Sequence, residues 1–192
     1  MNVPGRITRV AVAVITTGAV LAGCAGQDGD GRARNSMNMQ EAADRADAIL
    51  DRTLKAVVPE VQWTHHTWTS GSCTVTRRRK VMTIISEGRR GNFLGVIERH
   101  WKQSGFEISG VNAGREMPAI FARTSDGFQV SLSVKYKGQA VFTVDTPCVE
   151  KSEVAEPASR PNGPAYPYGE IPVPNVRSDF WSGTTPAPAP SS

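Results

Sequence analysis

Ser125-Asp126-Gly127-Phe128-Gln129-Val130-Ser131-Leu132-Ser133-Val134-Lys135-Tyr136-Lys137-Gly138 is the stretch that decides the fold. Val130, Leu132, Val134 and Tyr136 alternate with Gln129, Ser131, Ser133 and Lys135. A period of two puts the apolar set on one face of a strand and the polar set on the other. Such a strand belongs to an antiparallel sheet with one buried and one solvated face. The Ser-Asp-Gly before it and the Lys-Gly after it carry tight-hairpin chemistry. Residues 119–124 and 140–145 are therefore read as its neighbours in the sheet, and residues 106–111 as a fourth strand.

Toward the N-terminus the period changes to that of a helix. In residues 37–58, Ala42, Ala46, Ile49, Leu50, Thr53, Leu54 and Val57 share one face. Asp44, Arg45, Asp47, Asp51, Arg52 and Lys55 fill the other, and Pro59 ends the helix. A second helix carries Phe93, Leu94, Ile97 and Trp101 on one face. Gly88 and Gly91 are expected to precede it, with Asn92 as N-cap and Gly105 just past its end. Between the helices, residues 61–68 read as a strand. Residues 73–77 and 81–85 read as one long strand or two linked ones, broken at Arg78-Arg79-Lys80. The expected order is α-β-α-β-β-β-β. It makes an α+β domain with two amphipathic helices packed on one face of an antiparallel sheet.

The ends differ in composition from this domain. Residues 25–36 hold Gly, Asp, Arg, Asn and Ser and read as a flexible tether. Residues 151–192 hold nine of the 13 prolines and read as a disordered, extended tail. Tyr166, Tyr168, Ile171, Val173, Val176, Phe180 and Trp181 are many large side chains for a linker. They suit docking on the domain or contact with a partner.

The first residues have the layout of a secretory signal: Arg6 and Arg9, an apolar run from Val10 to Leu21, then small residues. The run is far short of the roughly 20 residues a membrane span requires. Its end, Leu21-Ala22-Gly23-Cys24, resembles the lipobox of bacterial lipoproteins. The Ala, Arg, Gly and Pro usage resembles small lipoproteins of high-GC Gram-positive bacteria. That resemblance implies cleavage after residue 23 and a diacylglycerol thioether on Cys24, which makes 24–36 a lipidated tether; composition and periodicity set the domain at 37–150. It also implies a place on the outer face of the cell membrane. Two or more acyl chains give stable anchoring where one is marginal.

With Cys24 lipidated, Cys73 and Cys148 remain of the three cysteines. An even pair in an oxidising compartment reads as a disulfide. By the chain-entropy model it contributes about 4 kcal/mol. No second cysteine lies near either one, so a Cys-x-x-Cys metal or redox site is excluded.

Charge says little globally. The chain carries +4, and without Arg6 and Arg9 the balance is 20 basic against 18 acidic residues. Locally, Arg77, Arg78, Arg79 and Lys80, followed by Arg89 and Arg90, form a basic cluster. It suits anionic lipid head groups, a wall polymer or an envelope protein. The other reading is a strand edge protected by charge. No aromatic residues are interleaved with the arginines, and nucleic acid is not expected. His65 and His66 fall on opposite strand faces and cannot share one ion. No nucleophile, paired-carboxylate or cofactor motif is present. The expected function is a lipid-anchored, non-enzymatic binding or accessory module at the cell envelope, without cofactor or metal. The alternative is a carrier of a small apolar ligand held between sheet and helices.

Overall fold

The computed structural model describes residues 37–167 and 170–184. The expected signal segment 1–23 and the expected tether 24–36, with Cys24, lie outside the described residues.

Helix α1 spans Met39–Lys55, opened by a capping box in which Asn38 and Glu41 satisfy each other's backbone N–H. Strands β1 (Trp63–Ser70) and β2 (Val75–Val81) follow, then helix α2 (Glu87–Gln103). Strands β3 (Glu107–Asn112), β4 (Ala119–Arg123), β5 (Gln129–Val134) and β6 (Ala140–Asp145) complete the order. The class is α+β, as expected, but the strands number six and two of them precede α2. All pairs are antiparallel in a single sheet of order β1-β2-β6-β5-β4-β3.

Two local expectations are corrected. Strand β2 runs unbroken through Arg78-Arg79-Lys80 and pairs with both β1 and β6 there. Cationic side chains leave to both faces, which hides the period of two, but each face supplies a place for them. Helix α2 starts at Glu87 with Ser86 as N-cap, so Gly88, Arg89, Arg90 and Gly91 lie inside it and Asn92 is no cap. The start is fixed from a distance. Ser86 N–H donates to Trp181 O at 2.9 Å, and its hydroxyl donates to Gly183 O at 2.6 Å. Tertiary contact here overrides the low helix propensity of two glycines.

The hairpins follow the expected chemistry. Gly127 takes φ +93°. Lys137 (φ 58°) and Gly138 (φ 73°) are the two positive-φ residues of the β5–β6 turn. A Cβ on Gly138 would stand 2.3 Å from Ile85 O, so only glycine fits there.

The helix-facing side of the sheet presents Ile120, Ala122, Val130, Leu132, Val134, Phe142 and Val144, which join Ile49, Leu50, Phe93, Ile97 and Trp101 in one core. Trp101 Nε1–H donates to Thr53 Oγ1 at 3.1 Å and ties the helices together. Cys73 and Cys148 form a disulfide with Cα atoms 4.8 Å apart and a separation of 75 in sequence.

The expected disordered tail is corrected over its described part. It forms no helix or strand but wraps the domain. Glu150 bridges to Asn38, and Val176 to Thr83. Gly163 N–H donates to Trp63 O, and Asn162 Oδ1 accepts from Trp63 N–H, so the tail covers that end of the β1 edge. Trp181 is 1 % exposed, stacks edge-on against Phe93 at 5.2 Å, and donates its indole N–H to Pro59 O. Burial of one large aromatic offsets the ordering of many flexible residues. Residues 185–192 lie outside the described residues.

Candidate functional site

The basic run of β2 divides by strand alternation. Arg77 and Arg79 point toward α1 and are 1 % and 0 % exposed. Asp47 and Asp51 lie one turn apart on α1 and meet them. Arg77 Nε is 3.2 Å from Asp47 Oδ2, and Arg79 bridges to both Asp47 and Asp51. Each guanidinium lies over an indole, Arg77 over Trp68 at 4.7 Å and Arg79 over Trp63 at 4.2 Å. The tail closes the layer: Arg77 donates to Ala155 O at 2.6 Å and Arg79 to Ser159 Oγ at 2.9 Å. Asp47, expected on the solvated side of its helix, is thus buried. Burial pushes its carboxyl above the usual range, and the two guanidiniums oppose that rise. Burial lowers Arg77.

Arg89 is also buried, its guanidinium 4.3 Å over the Phe180 ring, and it lies in the first turn of α2 rather than before it. Arg90 donates to Arg115 O at 2.9 Å. Of the six residues read as one anion-binding cluster, Arg77, Arg79 and Arg89 are enclosed between the tail and the domain. Arg90 braces a loop. Arg78 and Lys80 stand on the other face of the sheet, beside His66. The cluster is not one surface.

A wide concavity lies elsewhere, at the β3 end of the molecule. It is a groove of about 710 Å³ between α2 and the β3–β4 connection. Gly88, Gly91, Leu94, Gly95, Val111 and Pro118 contribute to its walls. The helix presents bare backbone there, and a Cβ on Gly91 would meet nothing within 4 Å. Arg115 bridges to Glu87 at 2.9 Å across the groove. Val111 is 60 % exposed beside it. An apolar floor with a few charged groups at its rim is how a binding groove is built. Sequence reasoning missed it because Gly88 and Gly91 were expected to lie ahead of the helix and not in it. The one available signal was their spacing, 88, 91 and 95, which places them on one helical side.

The layer between the helices and the sheet, where a carrier's cavity is expected, is occupied by Phe93, Ile97, Trp101, Phe142 and Trp181, all 0–1 % exposed. His65 and His66 point to opposite faces, as expected. Among the described residues no group of three His, Cys, Asp or Glu could hold a metal ion, and no helix is long and apolar enough to cross a membrane. The chain matches no protein-family model and no curated protein.

Proposed function

We propose that this chain is a lipid-anchored, non-enzymatic binding module at the outer face of the cell membrane, with the groove between α2 and the β3–β4 connection as its binding surface. The observation that carries the reading is the groove itself, about 710 Å³ with its floor of glycine backbone, Leu94, Val111 and Pro118. The Leu-Ala-Gly-Cys signal supports the anchor. The Cys73–Cys148 disulfide supports an oxidising compartment. We prefer this to the carrier reading because large side chains fill the layer in which a carrier would hold its ligand. The partner we propose is an envelope protein or wall polymer that lays a segment into the groove.

The test has two arms. Cys24→Ser should release the protein from membranes and abolish palmitate labelling; equal labelling of both forms rejects the anchor. Gly91→Arg should fill the groove and abolish cross-linking to the envelope partner while thermal unfolding stays cooperative. Unchanged cross-linking in that variant rejects the groove.

A further inference from the structure

The sheet face opposite Arg77 and Arg79 holds cations that form no ion pair among the described residues. His66 stands opposite Arg78 across the β1–β2 ladder. Lys80, two residues along β2, leaves on the same face. Val141 stands opposite Lys80, and Ser133 opposite Val141, which brings Lys135 at the end of β5 to the same corner. We propose that His66, Arg78, Lys80 and Lys135 form a binding site for a phosphate-bearing ligand. The proposal stands independently of the lipid anchor and of the groove.

The contrast within β2 carries the argument. Arg77 and Arg79 each have an acid and an indole. Lys80, on the opposite face, is only 5 % exposed, yet its ammonium meets no acid and no hydrogen-bond acceptor among the described residues. A lysine buried this far is ordinarily paired. His66 Nδ1 is sealed and without a hydrogen bond among the described residues. Burial and the charges of Lys80, Arg78 and Lys135 push the imidazole down to about 4. Burial and Lys135 also lower Lys80. Of the acids nearby, Asp145 accepts from the Thr76 hydroxyl at 2.5 Å, and Glu170 lines a small cavity with His66 but forms no ion pair with these cations among the described residues.

A phosphate answers each of these groups. It supplies acceptors for the Lys80 and Lys135 ammonium groups, and its negative charge favours the protonated imidazole of His66. Arg78 uses one nitrogen on Thr67 O and keeps the rest of its fork for a bidentate contact. The ligand is a phospholipid head group or a free phosphate, chemically alike at the point of contact.

The test uses the full chain in neutral detergent micelles, with the His66 titration followed by NMR and affinity by calorimetry. One arm adds inorganic phosphate, the other dopes the micelles with phosphatidylglycerol. Either probe should move the His66 midpoint from about 4 toward its ordinary 6.5. Response to inorganic phosphate identifies a free phosphate, and response to doped micelles alone identifies a head group. Lys135→Gln, at an exposed position, should weaken binding at least about tenfold without disturbing the fold. Lys80→Gln should weaken it further, with partial rescue by Lys80→Arg. If neither probe moves His66, or if wild type and Lys135→Gln bind equally, the proposal falls.

Discussion

The two ends of the sheet are finished in opposite ways. At the β1 end the tail supplies hydrogen bonds to both backbone groups of Trp63, and the arginine–aspartate–indole layer is sealed beneath it. At the β3 end a bulge between Ile108 and Gly110 distorts the last strand, and the groove lies open beside it. An edge strand needs either cover or distortion to avoid pairing with other chains. This molecule uses cover at one end and a bulge at the other. The covered end holds the fold, and the bulged end leaves room for a partner. The contrast gives a direct rule: substitutions at the covered end should cost stability, and those at the open end should cost binding.

The largest expected effect is at Trp181. Trp181→Ala should destabilise by about 3–5 kcal/mol, because a fully buried indole is removed from contact with Phe93. Urea unfolding measures it. A change below about 1 kcal/mol would mean that the tail merely lies on the domain. Asp47→Ala comes next, at about 3 kcal/mol, since it leaves Arg77 without a carboxylate and Arg79 with only Asp51. Replacing Asp47, Arg77 and Arg79 together by apolar residues should cost much less, as buried ion pairs contribute little net stability. Converting both Cys73 and Cys148 to Ala should cost about 2–4 kcal/mol by freeing a loop of 75 residues in the unfolded chain.

A pH effect at His66 sharpens the contrast. His66 is held near 4 in the folded protein, below its ordinary 6.5. The folded state resists its protonation. The associated stability is present above pH 6.5 and is lost as pH falls from 6.5 toward about 4. The urea midpoint of wild type should therefore drop over that window, and His66→Gln should flatten the drop. The smallest effect is at the open end. Gly91→Ala should raise stability by about 0.5–1 kcal/mol, since the helix gains propensity and the new methyl meets open space.

What was legible in the sequence follows from how local each cause is. The face of α1 was readable because Ala42, Ala46, Ile49, Leu50 and Leu54 repeat at helical spacing, and all are buried. The β4–β5–β6 meander was readable because alternation and turn glycines are local signals. The continuity of β2 was not, since arginines at 77, 78 and 79 look alike in sequence. Only α1 and two tryptophans distinguish the buried pair from the one between them. The start of α2 was hidden for the same reason: residues 181 and 183 hold Ser86 across a separation of almost a hundred residues. The tail's proline content correctly excluded regular structure, but Trp181 was the sign that it docks. The groove escaped because glycine contributes no side chain to a pattern.

The most direct measurement is photo-cross-linking in living cells from single positions at the two ends of the molecule. Probes at Gly91 and Val111 report on the groove, and a probe at Arg160, exposed on the tail, reports on the covered end. We predict that a discrete envelope adduct forms from Gly91 and Val111 and not from Arg160. Adducts from Arg160 alone, or none from either groove position, would contradict the account.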